Sequence, residues 1–420
     1  MFTKMQILDS SSARRGLPAI FLAAFCWLLV SGPAMGNQLQ QYEQFIIDAG
    51  EWMVSRQLPN GAYPYSDAVP SVFPNVQAIS GLATLSAYQA SCQLGACDTD
   101  FLDASILTGD YMINGGFGNF SPNTGFPRIR NFDPLFLVRL SNVSGDPQYA
   151  DFLETNFWQR LEVGIYGPTN DWDIDDFIDH LITTRDASAA LSGVVAAWDL
   201  GFLAAAASEA GITQFDQAIV DGTRTALGFG GDTSTVLGTS GFDIMGLTGG
   251  IWVAGVTGAN VAPTTGSWAA ANNNIDLVNL LLAQQSSEGG FLQSTAAGNN
   301  PIDVTNTVSQ TTAFAVMALA EFDSDTYFTR ISSALNALVN VFQEADGRIS
   351  FYHPDVDPST VDDPKPYVYA HAFGLYAVSE RGDTPPPTPP IAVPTLSHLG
   401  LLLLMLLLGT LAWKALALRQ

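Results

Sequence analysis

The chain has 420 residues, of which 40 are acidic and 16 basic, and its formal net charge is −24. A surface of that charge repels the phosphates of nucleic acids and the headgroups of anionic lipids, so neither is expected to bind the folded region. Acidic substrates such as uronate polysaccharides are also disfavoured unless calcium bridges the charges.

The first 36 residues have the pattern of a secretory signal peptide. Three basic residues precede an apolar run over residues 17–30, and Ala34 and Gly36 place small side chains where signal peptidase cleaves. The mature chain is therefore expected to begin at Asn37, with signal peptidase as a processing partner. A membrane anchor is the alternative, but the apolar run is short for a span and a helix-breaking Gly-Pro pair follows it.

Residues 37–381 carry six apolar stretches at near-constant spacing. Five of them open on an acidic or amide residue, and successive openers lie 58, 53, 57 and 63 residues apart. The sixth stretch covers residues 367–379. Polar side chains are too sparse to cover a solvent face, so each stretch is predicted to be a helix buried on most sides. The five openers are Asn75, Asp133, Asp186, Asp243 and Asn306.

A more polar helical segment precedes the apolar stretches, as at residues 39–56, 146–160 and 328–342. Six buried helices that alternate with six amphipathic ones predict an all-α domain over residues 37–381, an α6/α6 toroid. In such a fold, six parallel inner helices surround a central cavity and six antiparallel outer helices surround them. All inner helices then begin at the same rim of the ring.

That rim is the predicted ligand site. The openers should stand close together there, each as a helix N-cap, and Asp133, Asp186 and Asp243 would add carboxylates above an apolar cavity. The side chains expected to line the cavity or its edge are Trp198, Trp252, Phe314, Tyr369 and Phe373.

Three connections repeat one pattern, in which a glutamine is followed by a glycine and then by an aromatic residue at fixed offsets. The pattern resembles the Gln-Trp motif of the squalene cyclase and protein prenyltransferase superfamily, whose shared fold is the α6/α6 toroid. The resemblance covers residues 38–381 and implies that these residues brace the outer helices and do not form an active site. The three sets are Gln57, Gly61 and Tyr63; Gln285, Gly289 and Phe291; and Gln343, Gly347 and Ile349, where isoleucine replaces the aromatic residue.

An acidic cluster lies before the third apolar stretch. It contains Asp-x-Asp-Asp, which resembles the motif with which squalene-hopene and related class II terpene cyclases protonate an alkene, because crowded carboxyls keep one of their number protonated. The resemblance implies that Asp175 is the acid, flanked by Asp173 and Asp176, and Asp186 is a further catalytic candidate at the rim. Two other interpretations are a calcium site at Asp171, Asp173 and Asp175, and a solvated acidic loop.

His371 lies in the sixth stretch, whose sequence resembles the last inner helix of prenyltransferase β-subunits. In those enzymes a histidine there binds the catalytic zinc, so the resemblance makes His371 a catalytic candidate. Such a site also takes an aspartate and a cysteine from an earlier unit, and the fifth unit, residues 303–310, has no cysteine. A hydrogen-bonded core histidine is therefore the favoured interpretation.

Two cysteines remain once the signal peptide, which contains Cys26, is removed. Cys92 and Cys97 lie five residues apart in a polar loop after the first apolar stretch. In an oxidising compartment they are expected to form a disulfide, with a small effect on stability because the closed loop is short.

The C-terminal part has the pattern of a sorting signal. A proline-rich linker spans residues 382–393, and residues 394–420 contain Pro-Thr-Leu-Ser, an apolar run at 399–411 and two basic residues. This order resembles exosortase-type signals in the Ile-Pro-Thr-Leu variant, with Val393 in place of isoleucine. The resemblance implies export to the periplasm, cell envelope or surface of a Gram-negative bacterium, membrane anchoring by a transmembrane helix within residues 394–420, and an exosortase-like sorting enzyme as a partner.

Two functions remain open from the sequence alone. The favoured one is an envelope-anchored binding or scaffold module with a small apolar or glycan ligand in the toroid. The alternative is a terpenoid cyclase-like or glycan-active enzyme that uses the rim carboxylates. The sequence contains no nucleophile elbow, His-Glu-x-x-His helix or phosphate loop, and no cofactor is implied apart from the calcium hypothesis.

Overall fold

The computed structural model describes residues 38–66, 70–116, 129, 132–167, 169–183, 197–228, 243–266, 268–295, 302–357 and 368–382. The signal peptide, the opener Asp186, the linker from residue 383 onward and the sorting tail lie outside these ranges.

Helices dominate the described residues. In chain order they are α1 (Glu43–Ser55), α2 (Pro74–Gln93), α3 (Thr99–Tyr111), α4 (Phe132–Ser144), α5 (Gln148–Leu153), α6 (Gln159–Glu162), α7 (Ile174–Thr183), α8 (Ala197–Glu209), α9 (Asp216–Gly228), α10 (Asp243–Thr257), α11 (Asn274–Leu282), α12 (Ser309–Asn340) and α13 (Val368–Arg381). Two short strands, β1 (Phe291–Leu292) and β2 (Thr307–Val308), pair antiparallel. Short 3-10 segments span Gln38–Tyr42 and Val304–Asn306, and π-helical segments span Met112–Gly116 and Glu154–Trp158.

Six of these helices form a closed inner ring. In the order α2, α4, α8, α10, first half of α12 and α13, each packs against the next, and α13 packs against α2. Their composition explains the placement, because apolar residues and glycines surround the whole helix axis. In α10, for example, every residue from Asp243 to Ala254 is buried. The predicted arrangement of inner helices is therefore present in the fold.

The outer layer consists of α1, α3, α5 with α6, α9, α11 and the second half of α12. Each precedes an inner helix along the chain, as the sequence predicted. The long helix α12 supplies both an inner and an outer helix, because Asp323 inside it has extended backbone angles (φ −168, ψ 87). The chain turns from the inner to the outer layer at that residue without a separate loop.

Two glutamines of the repeated turn pattern brace neighbouring outer helices. The side-chain amide of Gln57, just after α1, donates hydrogen bonds to the carbonyls of Gly61 (3.2 Å) and of Ala104 in α3 (2.7 Å). Gln285 repeats this after α11, with bonds to the carbonyls of Gly289 (3.1 Å) and of Arg330 in α12 (3.0 Å). Each glutamine therefore closes its own turn and also satisfies a carbonyl of the next outer helix.

Several boundaries differ from the predicted ones. The fifth inner helix begins at Ser309 and not at Thr307, because Thr307 and Val308 form β2 and pair with β1. The third outer helix is interrupted by the π-helical segment between α5 and α6. A further helix, α7, begins within the acidic cluster and packs against α9.

Cys92 and Cys97 are joined by a disulfide in the loop between α2 and α3. No helix within the described ranges has the length and apolarity needed to cross a membrane. The transmembrane helix predicted within residues 394–420 lies outside those ranges.

Candidate functional site

The ring has two ends with different chemistry. We call the end where the inner helices begin the N-terminal rim, which includes Phe73, Asp243 and Tyr369. The end where they finish is the C-terminal mouth, which includes Arg139, Glu209 and Glu380. At the mouth, Arg139, Glu209 and Glu380 join the C-terminal halves of three inner helices, as expected if these helices run parallel. The N-terminal rim is the site that the sequence predicts.

Two of the residues that open the apolar stretches, Asn75 and Asn306, do not cap their helices as predicted. The N-cap positions of α2 and α12 are held by Phe73 and Val308, and neither side chain makes a capping hydrogen bond. Asn75 lies inside the first turn of α2, and Asn306 ends a 3-10 segment before β2. The N-cap prediction is wrong at these two helices because the rim turns place an extended apolar residue at the start of each helix.

Two of the predicted rim carboxylates are buried in the first turns of inner helices. Asp133 is the second residue of α4, and Asp243 is the first residue of α10; they are 1% and 2% exposed. The carboxylate of Asp243 accepts hydrogen bonds from the backbone amide (3.1 Å) and the hydroxyl of Thr295, which follows β1. Asp243 therefore ties the fourth unit to the fifth.

The aromatic residues predicted to line the cavity are packed against one another. Trp198, Trp252, Phe314 and Phe373 are each at most 3% exposed. Phe202 of α8 lies among them, with ring centroids 4.7 Å from Trp252, 5.6 Å from Phe314 and 6.3 Å from Phe373. Phe202 was not among the residues predicted from the sequence, although Phe202 lies four residues after Trp198 and therefore on the same face of the helix. These side chains are part of the core of the ring.

A group of partly exposed aromatic side chains occupies the rim between the first and sixth units. The Tyr65 ring stacks on Tyr369 at 5.4 Å and meets Phe73 edge-on at 5.1 Å, and Phe351 contacts Tyr352 at 4.6 Å. Phe73 is 41% exposed, and Tyr65, Tyr352 and Tyr369 are partly buried. The backbone fixes the group, because the amide of Val368 donates to the carbonyl of Tyr65 (3.1 Å). We call Tyr65, Phe73, Tyr352 and Tyr369 the aromatic platform.

Polar groups adjoin the platform. His353 follows Tyr352 in the chain and shares a 3.0 Å hydrogen bond with the carboxylate of Glu288, while its other ring nitrogen accepts from the amide of Asp355 (3.1 Å). Hydrogen bonds from Thr305, with a smaller contribution from the charge of His353, lower the pKa of Asp303. This part of the rim therefore offers aromatic faces beside the carboxylates of Glu288 and Asp303, while His353 is buried and both of its ring nitrogens have partners.

The acidic cluster forms the start of α7. The Asp173 carboxylate accepts from the backbone amides of Asp175 (2.9 Å) and Asp176 (3.1 Å), and the Asp176 carboxylate accepts from the amide of Asp173 (3.3 Å). This reciprocal arrangement is a capping box. The pKa of Asp175 is raised, first by partial desolvation and then by the negative charges of neighbouring aspartates, of which Asp173 has the largest effect. The side chain is nonetheless exposed. Capping gives the carboxylates of Asp173 and Asp176 a structural role, and acid catalysis by Asp175, whose carboxylate takes no part in the capping box, remains a prediction.

The calcium hypothesis at Asp171, Asp173 and Asp175 gains no support from this geometry. Asp173 uses its carboxylate for capping, and Asp171 accepts a hydrogen bond from the hydroxyl of Thr169. Within the described ranges, no group of three or more His, Cys, Asp or Glu side chains is arranged to hold a metal ion.

His371 is a core histidine whose two ring nitrogens are both bonded to backbone. Nδ1 accepts from the amide of Ile349 (2.9 Å), and Nε2 donates to the carbonyl of Ala49 in α1 (2.8 Å). Burial lowers the pKa of His371 to about 4, so the ring is neutral. Both nitrogens are thus engaged, which agrees with the core histidine that the sequence favours over a metal ligand. The side chain instead joins the sixth unit to the first.

The C-terminal mouth contains an ionic cluster that the sequence analysis did not identify. Arg139 donates two-pronged hydrogen bonds to Glu209 (2.6 to 3.0 Å), and its other amino group contacts Glu380 and the Tyr376 hydroxyl, both at 3.0 Å. Ser86 donates to Glu380 (3.1 Å). Burial opposes the charge of Arg139, but these neighbours outweigh burial and raise its pKa, so it stays charged. The sequence signal for this cluster is Arg139 itself, the single arginine within the apolar stretch of α4.

A closed ring of inner helices inside an outer layer defines the α/α-toroid class. The chain is similar to an unsaturated glucuronyl hydrolase specific for heparin, with a TM-score of 0.50 and 12% identity; the match covers 82% of this chain and 96% of that one. It is also similar to an unsaturated glucuronyl hydrolase from Streptococcus agalactiae, with a TM-score of 0.52 and 12% identity; this match covers 90% of this chain and 97% of that one. Cellobiose 2-epimerase from Bacillus thermoamylovorans B4167 has TM-score 0.51, 13% identity and coverage of 81% and 100%.

At 12 to 13% identity, this likeness shows the fold alone. The similar structures are those of carbohydrate enzymes, so the resemblance to squalene cyclases and prenyltransferases holds only at the level of the toroid. No curated protein sequence matches the chain.

Residues 391–420 match the IPTL-CTERM motif. The match supports a secreted protein that is anchored at the cell envelope, and it implies processing by an exosortase-like sorting enzyme.

Proposed function

We propose that the mature protein is an envelope-anchored module that binds neutral glycans at the N-terminal rim. The observation that carries this proposal is the aromatic platform, in which Tyr65, Phe73 and Tyr369 form a partly exposed surface of contacting rings. A pyranose ring presents a face of C–H groups that packs on aromatic rings, and its hydroxyls can bond to nearby carboxylates.

The charge of the protein selects among glycans. The formal net charge is −24, and Glu288 and Asp303 add carboxylates close to the platform. An anionic polysaccharide would meet repulsion both from the whole surface and at the site. A neutral oligosaccharide avoids this cost, so it is the favoured ligand.

An apolar isoprenoid ligand has less support than a glycan. The side chains predicted to bind it, Trp252, Phe314 and Phe373, are buried and pack around Phe202. Contacts of this kind stabilise the ring itself. The exposed aromatic surface lies instead at the rim.

The position of the chain end agrees with a binding role for the rim. Helix α13 begins at the platform with Val368 and ends at the C-terminal mouth with Arg381, after which the sequence continues into the proline-rich linker. The described part of the chain therefore ends at the mouth, at the opposite end of the ring from the aromatic platform.

A carbohydrate ligand is compatible with the toroid fold, which glucuronyl hydrolases and a cellobiose epimerase also have. The acidic surface nonetheless separates this chain from a heparin-type substrate. A glycan-cleaving activity is the second candidate, and the buried carboxyls of Asp133 and Asp243 in the first turns of inner helices favour it.

The test is calorimetric titration of the full chain with neutral cello- and manno-oligosaccharides. We expect binding that Tyr369→Ala and Phe73→Ala each weaken by about tenfold, because each removes one ring of the platform. Tyr327→Ala is the matched control, since Tyr327 is also a partly exposed aromatic residue but contacts Phe322 away from the rim. Absence of binding, or equal affinity in all three variants, contradicts the proposal.

A further inference from the structure

We propose that the C-terminal mouth is a second ligand site, which binds a small amino sugar through its protonated amine. The site shares no residue with the aromatic platform and does not depend on the function proposed for the rim. Its evidence is a cavity, the charges of its lining and a buried hydroxyl without a partner.

The mouth contains a cavity of about 350 Å³ that is open to solvent. Its walls come from four inner helices, α2, α4, α8 and α13, so the cavity exists only when the ring is closed. Its lining is mostly polar, in contrast to the apolar core between the same helices. The polar side chains of the lining include Gln89, Gln93, Asn142, Glu209, Ser379 and Glu380.

The charges of the lining favour a cation. The two carboxylates of Glu209 and Glu380 face the single guanidinium of Arg139, which leaves one negative charge in excess among the described residues that line the cavity. The four helices that form the walls also end here, and the helix dipole places partial negative charge at helix C-termini. The net charge of the whole chain acts in the same direction.

The remaining polar groups match the hydroxyls of a sugar. Gln89, Gln93 and Asn142 are exposed amides, each able to donate and to accept hydrogen bonds. Amide, hydroxyl and carboxylate groups that converge on one small cavity are suited to a ligand with several hydroxyls, and a bare ammonium ion would leave most of them unused.

Ser379 provides the most specific observation. Its side chain lines the cavity and is only 7% exposed, and its hydroxyl has no hydrogen-bond partner among the described residues. A buried hydroxyl without a partner is unfavourable, and such groups in proteins are normally satisfied by protein, water or ligand. If the Ser379 side chain rotates towards the cavity, a ligand hydroxyl or amine would supply that partner.

The test uses glucosamine and glucose, which differ in one ammonium group. The full chain is titrated with each sugar at pH 6, where the amine is protonated. We expect glucosamine to bind at least tenfold more tightly than glucose, because only glucosamine neutralises the excess negative charge. Equal affinity for the two sugars, or absence of glucosamine binding, overturns the proposal.

Variants test the location of the site. Ser379→Ala removes the hydroxyl without breaking any hydrogen bond of the described residues, so the fold should not suffer, while glucosamine binding should weaken about tenfold. Ser332→Ala, on the outer half of α12, is the matched control and should bind like the original chain. Unchanged affinity in Ser379→Ala would place the ligand elsewhere and overturn the proposal. Effects of these variants on oligosaccharide binding at the rim are expected to be absent, which separates the two sites.

Discussion

The two ends of the ring differ in how their connections are made. At the C-terminal mouth, short connections such as residues 94–98 and 145–147 join an inner helix to the next outer helix. At the N-terminal rim, the connection between α1 and α2 runs over residues 56–73 and includes a bridge between Pro64 and Val72. The short turns are local, whereas the long ones pack between units.

This difference explains where side chains from distant units meet. Tyr65 and Tyr369 are far apart in sequence, and the rim turns bring them into contact. Residues from four helices also meet at the mouth, but these residues lie within the helices and not in the connections. Long connections on a rigid scaffold are the usual place for binding surfaces, which agrees with the glycan site proposed at the rim.

The largest expected effect tests the rim turns against the mouth turns. Gly61 and Gly95 both have positive φ (87 and 102), but a Cβ on Gly61 would lie 2.1 Å from the carbonyl oxygen of Leu107, whereas one on Gly95 would meet nothing within 4 Å. We expect Gly61→Ala to lower the free energy of unfolding by about 4 kcal/mol and Gly95→Ala by about 1 kcal/mol. Urea denaturation measures both. Similar losses would show that the rim turn is no more constrained than the mouth turn.

The ionic cluster of the mouth gives the next prediction. Arg139→Met leaves Glu209 and Glu380 without their cation, and we expect a loss of about 3 kcal/mol, at the lower end for buried pairs because both carboxylates are partly exposed. Arg224→Met is the control, since the pair of Arg224 with Asp221 is solvent-exposed and should contribute less than about 1 kcal/mol. Denaturation midpoints that fall equally in the two variants would contradict a structural role for the mouth cluster.

The histidine near the rim predicts a pH effect of similar or smaller size. The pKa of His371 is about 4 in the folded protein and about 6.5 when unfolded, so the unfolded state binds the extra proton between these values. Stability from the neutral ring is present above pH 6.5 and is lost as pH falls towards 4, by roughly 3 kcal/mol. In His371→Gln the free energy of unfolding should depend less on pH in this window. If the free energy of unfolding depends on pH equally in the original chain and in His371→Gln, protonation of His371 is not the cause of the pH dependence.

The smallest effect concerns the acidic cluster. Asp173→Ala removes the cap of α7 and should cost about 1 kcal/mol, whereas Asp171→Ala should change stability by less than about 0.5 kcal/mol. Thermal unfolding of the two variants provides the comparison. If the two variants are equally stable, the capping interpretation of Asp173 fails.

The sequence alone was sufficient to predict the main architecture, because that depends on local patterns. Apolar stretches at regular spacing produced six inner helices, and the Gln-Gly turns marked by Gln57 and Gln285 bind the next outer helix as expected. The match of residues 391–420 to a sorting motif likewise depends only on linear sequence. A sequence pattern is enough to predict structure when its physical cause acts between residues close in sequence, or when the pattern repeats in every unit.

The roles of single side chains depended on the tertiary structure. The Asp-x-Asp-Asp motif has the composition of an acid catalyst, and only the structure shows that the carboxylates of Asp173 and Asp176 form a capping box at the start of α7. His371 has the context of a metal ligand, yet both nitrogens meet backbone groups that approach only when the ring closes. Arg139, Glu209 and Glu380 are likewise brought together by three different helices. Periodicity in the sequence determines which face of a helix is buried, whereas the partner of a polar group on that face is decided only by the packing of the closed ring.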